Sequence, residues 1–252
     1  MPDRYYSAEP IDGSTVTLAD SEAHHLLHVM RAKPGFELIV FDGQGGEYTA
    51  KVVECQRSTI ELNVGPRRNI ERELPFELTL AVSLPKGDRQ RWLLEKCVEL
   101  GVTRLVPLQT TRSVGKGDVG SKSEPNKKFA RYVIEASKQC GRNRLMEIAS
   151  PIAWPALVAE TTSGQCLLAH PGGQPLIEIK APTNEGTKLL LAIGPEGGFT
   201  DEEVSQAVGA GWETVGLGAR ILRIETAAVA LISVLTNNRS PRGKKLATDE
   251  HR

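Results

Sequence analysis

The sequence of 252 residues lacks the features that mark disulfide-rich, metal-binding and membrane proteins. Its four cysteines form no CxxC pair, and none stands near a histidine at zinc-ligand spacing: Cys55, Cys97, Cys140 and Cys166. No apolar run approaches the roughly 20 residues that a transmembrane helix requires, and the first ten residues contain no apolar signal segment. We therefore expect a cytoplasmic protein without disulfides, a metal or a membrane partner.

The chain also has no net charge at pH 7. The 31 basic residues balance 31 acidic ones, which excludes a uniformly basic coat for nucleic acid but not a local basic patch. Such a patch lies between residues 112 and 144, where nine basic residues stand against three acidic ones. This segment either contacts phosphate groups or faces water as an ordinary charged helix.

Two patterns of secondary structure divide the chain. Residues 1–72 contain short alternating strands, one helix that Asp20 is expected to cap, and a glycine-rich hairpin turn, DGQGG, which together predict a small β-barrel or sandwich. The polar stretch GPRRNIERELPF then reads as a linker. Residues 73–245 alternate apolar strands with helices, which predicts an α/β domain with a buried parallel sheet. A frayed tail is expected at 246–252.

Two glycine-containing loops in the second domain follow strands and precede helices. The first, GPEGGF, leads into TDEEV, where Thr200 and Glu203 are expected to form a capping box. The second, GARILRI, leads into a long apolar helix that starts near Glu225. Ligands of open parallel sheets bind beyond the carboxyl ends of the strands, so the loops are expected to wall one pocket, unless they are merely tight connections. Neither loop has dinucleotide or P-loop spacing, and no GxSxG is present.

Four segments of the chain resemble the motifs of a known family. The segments GPEGGFTDEE, LGARILRIETAA, LPKGDRQRWLLEKCVELGV and CGRNRLMEI are similar to those of SPOUT-class RNA methyltransferases, most closely the ribosomal RNA small subunit methyltransferase E family. The resemblance extends over nearly the whole chain. It implies a PUA-like, RNA-binding β-barrel, followed by a knotted α/β domain with helices on both faces of a parallel sheet.

The resemblance also implies an activity. Members of this family work as homodimers and use S-adenosylmethionine (SAM), without a metal, to methylate N3 of one uridine in 16S rRNA of the small subunit. The substrate is expected to be rRNA within the assembled subunit. The sequence leaves two other functions open: methylation of tRNA by a SPOUT enzyme, and non-catalytic RNA binding in ribosome assembly.

Site residues follow from the same resemblance. The implied SAM pocket is formed by both loops and by the end of an earlier strand: Leu168, His170, Gly194, Pro195, Glu196, Gly197, Gly198, Leu217, Gly218, Ile221 and Leu222. Arg223 and Glu225 lie beside the pocket in sequence, as candidates for stabilising a uracil anion and accepting the N3 proton. Glu225 also suits the first turn of a helix for its dipole alone. Candidate RNA contacts are arginines of both domains: Arg4, Arg31, Arg112, Arg142, Arg144 and Arg220.

The last predicted helix, from Glu225 to Asn237, is apolar over more than one stripe. This pattern fits either a dimer interface or burial within the monomer.

Overall fold

The chain folds around two separate sheets. A computed structural model describes residues 3–113, 124–160, 163–180, 182 and 184–237. The predicted tail, 246–252, lies outside these residues, as does the basic stretch 239–245 before it.

The first sheet belongs to the amino-terminal domain. Its strands are β1 (Arg4–Tyr6), β2 (Thr15–Leu18), β3 (Glu37–Phe41), β4 (Glu47–Cys55) and β5 (Ile60–Arg68), in the spatial order β1-β3-β4-β5-β2. Only β1 and β3 are parallel; the other described pairs are antiparallel. Alternate apolar residues of these strands fill one core, which confirms the predicted small barrel as a five-stranded curled sheet.

The helix of this domain departs from the prediction at its start. Helix α1 (Asp20–His24) continues into a π-helical turn, His25–Val29. The expectation that Asp20 caps the helix is wrong: Ala19 occupies the N-cap position, and Asp20 is the first helical residue, with φ of +51°. Leu26 nevertheless reaches the barrel core, as the apolar spacing requires.

The second sheet is parallel throughout its described pairs. It contains β6 (Glu77–Val82), β7 (Arg104–Gln109), β8 (Glu147–Ile148), β9 (Ile152–Ala153), β10 (Gln165–Pro175), β11 (Lys188–Ile193) and β12 (Glu213–Gly216). The spatial order is β12-β10-β11-β6-β7-β8, and β9 also pairs with β7. The helices between the strands are α2 (Asp88–Glu99), α3 (Glu124–Cys140), α4 (Trp154–Glu160) and α5 (Asp201–Gly209), and α6 (Ile224–Asn237) follows the last strand.

Helices cover both faces of this sheet, as predicted. Helices α2, α3 and α6 share one core, and α4 and α5 share another with Phe199 and Trp212. Neighbouring strand residues alternate between these cores: Leu167 belongs to the first and Leu168 to the second. Strands buried on both faces are apolar throughout, which explains why they read from the sequence as a parallel sheet. Among the helices described, none is long and apolar enough to span a bilayer.

The glycine-rich turn of the barrel is also one of the contacts that dock the two domains. The Gly45 amide donates to the Asn143 carbonyl oxygen at 2.9 Å, and the Leu145 amide donates to the Gly43 carbonyl oxygen at 3.2 Å. Gly43 has φ of +79°, and a Cβ there would lie 2.8 Å from Leu145 Cγ. The turn therefore requires glycine for close approach to the second domain as well as for its own bend.

Candidate functional site

The two glycine loops and the end of β10 meet at one edge of the second sheet. Strand β10 lies between β11 and β12, and Leu168 pairs with Ala192 on one side and with Thr214 on the other. All three strands are parallel, so the residues that follow them emerge at the same, carboxyl edge. The arrangement brings together the two loops that the sequence predicts to wall one pocket.

The first loop, 194–198, is bent tightly between β11 and α5. Gly194 packs on the ring of Phe199, where an added Cβ would lie 3.0 Å from ring carbons. Gly198 has φ of +68°, and its amide donates to the Pro195 carbonyl oxygen at 2.8 Å. From the end of β7, Arg112 Nη1 donates to the Gly197 carbonyl oxygen at 2.8 Å. The loop is thus held from both sides, by backbone bonds and by an arginine.

The helix that follows begins with the predicted capping box. The Glu203 amide donates to Thr200 Oγ1, and the Thr200 amide donates to Glu203 Oε2 at 2.9 Å, which confirms the prediction. The Glu203 carboxylate, which is buried, also accepts a hydrogen bond from the Thr111 amide at 2.8 Å. One side chain therefore fixes both the start of α5 and the loop after β7.

The second loop, 217–223, is more open. Gly218 has φ of +98° and open space where a side chain would stand. Leu217 and Leu222 pack partly against the larger core, whereas Ile221 is 94% exposed. The expected apolar slot is therefore not closed by Ile221 within a single chain. Arg220 and Arg223 are also exposed.

The end of β10 is pressed against β12 by two glycines that the sequence analysis missed. A Cβ on Gly173 would lie 2.4 Å from the Val215 amide nitrogen, and one on Gly216 would lie 2.8 Å from the Gly173 carbonyl oxygen. The pairing register shifts at this point, between Ala169 and Gln174. Beside it, His170 Nδ1 accepts a hydrogen bond from the Gly172 amide at 3.2 Å. His170 thus lies in the irregular segment beside the carboxyl end of β12, after which the second loop begins.

Arg89, in the first turn of α2, joins the two loops electrostatically. Its Nη1 lies 3.4 Å from Glu196 Oε1 of the first loop and 3.9 Å from Glu225 Oε2, just after the second. Glu225 is 7% exposed, and its Oε2 has no hydrogen-bond partner among the described residues. A buried carboxylate without a hydrogen bond is costly, so this arrangement is typical of a functional site. Arg89 was missed because only the three-dimensional fold brings α2 to this edge.

Two arginines predicted to contact RNA are bonded within the protein between the two domains. Arg142 is 4% exposed; it pairs with Glu73 and donates to two backbone carbonyl oxygens at the end of α2 and just beyond it. The Arg4 side chain is 8% exposed and donates to Glu47 and Asn143. Both guanidinium groups join the barrel and linker to the second domain. The burial of Arg142 corrects the expectation of RNA contact for that residue, whereas RNA contact by Arg4 stays a prediction.

The remaining predicted RNA contacts stay at the surface. Arg31 and Arg144 are exposed, and Arg144 Nε lies 3.6 Å from Glu71 Oε2. Arg112 is exposed as well, but it belongs to the first loop through its bond to Gly197. In the part of the chain that is described, no group of three or more histidine, cysteine, aspartate or glutamate side chains is arranged to hold a metal ion.

Comparisons with known proteins agree with this geometry. Residues 72–236 match the family model of the RNA methyltransferase domain, and residues 18–64 match that of the RNA methyltransferase PUA domain. The ribosomal RNA small subunit methyltransferase E of Bacillus subtilis is 30% identical over 89% of this chain and 91% of its own length. The protein of the same name from Synechocystis is 34% identical over 90% of this chain and 74% of its own length.

Solved structures give the same result. The ribosomal RNA small subunit methyltransferase E of Neisseria gonorrhoeae, bound to SAM, superposes with a TM-score of 0.84 at 31% identity, covering 94% of this chain and 98% of that one. A Legionella pneumophila protein with bound SAM also has a TM-score of 0.84, at 30% identity and the same coverage. With its domain order and both loops in place, the chain belongs to the ribosomal RNA small subunit methyltransferase E family of RNA methyltransferases.

Proposed function

We propose that this protein transfers a methyl group from SAM to small-subunit rRNA. The observation that carries the proposal is the meeting of the two glycine loops at one sheet edge, where Arg89 lies between Glu196 and Glu225. The names of its relatives, and the SAM bound in two similar structures, support the same activity.

The residues at this edge suit SAM as the methyl donor. Gly198 and Gly218 combine positive φ with open space beside the backbone, so a ligand can approach main-chain groups closely. The buried Glu225 carboxylate favours a positively charged ligand, and SAM carries a sulfonium. The proposed pocket comprises these loops and the end of β10: Leu168, His170, Gly194, Pro195, Glu196, Gly197, Gly198, Leu217, Gly218, Ile221 and Leu222.

We further propose N3 of a uridine as the methyl acceptor. SAM supplies an electrophilic methyl group, and the acceptor must lose its N3 proton and hold the developing negative charge. Arg223 and Arg220 are exposed next to the pocket, so either can lie over a uracil carbonyl oxygen and stabilise the anion. Glu225 is the candidate that accepts the proton, because it is a carboxylate in the first turn of α6, directly after the loop that carries both arginines.

The proposal includes a homodimer that acts in the cytoplasm on rRNA within the assembled subunit. The dimer is supported by Ile221, a large apolar side chain that is 94% exposed in the loop that should enclose the methyl donor. A second copy of the chain would cover it. Sedimentation tests this: Ile221→Asp should produce monomers, whereas Val53→Asp, at an apolar position 49% exposed on the barrel, should not. A wild-type monomer would refute the dimer.

The decisive experiment measures methyl transfer and its position. Purified protein is incubated with labelled SAM and either small ribosomal subunits or bulk tRNA from a strain that lacks the gene, and modified nucleosides are mapped by mass spectrometry. The proposal expects N3-methyluridine at one position in the rRNA. Methylated tRNA would favour the first alternative, and RNA binding without SAM binding in calorimetry would favour a non-catalytic assembly protein.

A further inference from the structure

A cleft between the barrel and helices α2 and α3 lies outside the proposed methyl-transfer site. Its volume is about 1100 Å³. One wall comes from β1 and α1, and the other from the exposed sides of α2 and α3. The residues that line it are mostly charged or aromatic: Asp3, Arg4, Tyr5, Ser21, Glu22, His24, His25, Arg91, Lys127, Lys128, Arg131, Tyr132, Glu135, Lys138 and Gln139.

The positive charge in this cleft is not neutralised from within. Lys127, Lys128 and Arg131 are exposed on α3 and form no ion pair with any described side chain. Two of the three carboxylates that line the cleft already have a partner, because Lys138 Nζ lies 2.9 Å from Glu22 Oε1 and 3.4 Å from Glu135 Oε1, which leaves Asp3 alone against these cations. Three unpaired cations on one helical turn therefore face the cleft and favour an anionic occupant.

An aromatic ring stands among these cations. The guanidinium carbon of Arg91 lies 5.2 Å from the centre of the Tyr132 ring, and Lys128 Nζ lies 5.8 Å from the same centre. Tyr132 is partly buried against the core of the second domain, which fixes its position. A fixed ring flanked by cations is the arrangement on which unpaired bases stack while their phosphates are neutralised.

The two walls are held together, so the cleft exists without a ligand. The ion pair of Lys138 with Glu22 crosses between the domains, and Lys138 Nζ also lies 5.4 Å from the centre of the Tyr5 ring. A preformed cleft spares its ligand the free-energy cost of ordering the site.

The cleft is also next to the methyl-transfer site. Arg91 lines the cleft, and Arg89, two residues earlier on α2, contacts Glu196 and Glu225. Residues two apart on an α-helix are about 3 Å apart along its axis, but their side chains point to nearly opposite sides of the helix. A chain bound in the cleft can therefore continue over the first turn of α2 to the methyl donor.

We propose that this cleft binds an unpaired stretch of the RNA substrate, with Lys127, Lys128 and Arg131 on its phosphates and a base stacked on Tyr132. The inference rests on the proposed function and adds the location and strandedness of the RNA contact. Sequence-specific proteins read RNA mainly in single-stranded loops and ends, whose bases are free to stack.

The first test removes charge. Binding of a transcript of small-subunit rRNA is measured for the triple variant Lys127→Ala, Lys128→Ala, Arg131→Ala. The control, Lys51→Ala, Arg104→Ala, Lys188→Ala, loses the same charge at positions 65%, 51% and 60% exposed, outside the cleft. The cleft variant should bind at least tenfold more weakly than the control. A plot of its log affinity against log salt concentration should also be less steep, by about 2 in slope, because three contacts to the phosphates of a single strand are lost.

The second test concerns the ring. Tyr132→Leu keeps an apolar side chain against the core but removes the stacking surface, and should weaken RNA binding by roughly 5- to 100-fold. Tyr132→Phe keeps the ring and should bind like the wild type. If both variants bind equally well, the stacking role is wrong.

SAM binding separates this inference from the proposed function. Calorimetry with SAM should give the same affinity for the wild type, the cleft variant and its control, which also shows that each is folded. If the wild type binds neither SAM nor rRNA, the proposed function fails. If the wild type binds both and the cleft variant binds rRNA as tightly as the control does, the cleft proposal alone is overturned.

Discussion

Arg89 and Glu225, on two different helices, face each other across the candidate site, with 3.9 Å between Arg89 Nη1 and Glu225 Oε2. The same Nη1 lies 3.4 Å from Glu196 Oε1 in the first glycine loop. One guanidinium thus contacts a carboxylate of the first loop and a carboxylate in the helix that follows the second loop. Among the residues that the structure describes, no other cation pairs with the buried Glu225.

The first prediction is that Arg89→Ala lowers methylation of small subunits by roughly 10- to 100-fold in kcat/KM, because the loss of a preorganised charge in an active site has effects of this order. Arg89→Lys should recover part of the activity, since it keeps the charge without the planar fork. Lys96→Ala is the control on the same helix, because Lys96 pairs with Glu99 outside the site. Equal rates for Arg89→Ala and Lys96→Ala would refute the role.

The second prediction is that Glu225→Gln lowers the activity of the protein but not its stability. Methylation should fall at least tenfold if the carboxylate accepts the N3 proton. The thermal midpoint should stay the same or rise, because the amide removes a buried charge whose Oε2 has no hydrogen bond among the described residues. A normal rate with a changed midpoint would assign Glu225 a purely structural role.

The third prediction compares two neighbouring arginines at the junction of the domains. Arg142→Ala should lower the free energy of unfolding by about 3–5 kcal/mol, because it leaves Glu73 without its buried partner. Arg144→Ala should cost less than about 1 kcal/mol, because its pair with Glu71 is exposed. Urea unfolding measures both, and similar losses in the two variants would contradict the buried-pair argument.

Much of this architecture could be predicted from the sequence, for reasons that are local. Apolar strands, glycine turns and the Thr200 cap depend on neighbouring residues, and the structure confirms the barrel, the parallel sheet and the capping box. The predictions that were wrong or missed depend on contacts between residues distant in sequence. Arg142 lies in a basic segment that favours a surface role, and its burial depends on Glu73 and on backbone oxygens distant in sequence. Gly173 carried no motif, although it packs directly on β12.

The fourth prediction is a pH dependence at the same junction. Burial raises the pKa of Glu47, but hydrogen bonds and ion pairs with Arg4 and Arg72 outweigh it and hold the pKa below its ordinary value of 4.5. A lowered pKa in the folded state stabilises the protein above the unfolded value and loses this contribution as the pH falls through the folded value. Glu47→Gln should therefore cost about 3 kcal/mol at pH 7.

That cost should shrink as the pH falls below the ordinary value of 4.5 and through the lowered pKa of the folded protein, where the wild type also becomes protonated. Urea unfolding between pH 7 and pH 3 measures the difference between the two proteins. Glu37→Gln is the control, since its pair with Lys51 is exposed and should matter little at any pH. A penalty for Glu47→Gln that is constant to pH 3 would show that the carboxylate charge is not responsible.

The last prediction separates the two tasks of Glu203. Thr200→Ala removes the cap alone and should cost about 1 kcal/mol of stability. Glu203→Ala leaves the amides of both Thr200 and Thr111 without their acceptor, so its cost should be larger, about 2–3 kcal/mol. Because Thr111 precedes Arg112, which binds the Gly197 carbonyl oxygen, Glu203→Ala should also weaken SAM binding more than Thr200→Ala does. Urea unfolding measures the two losses of stability, and calorimetry measures the two affinities for SAM. If Glu203→Ala binds SAM as tightly as Thr200→Ala does, the loop after β7 does not support the pocket.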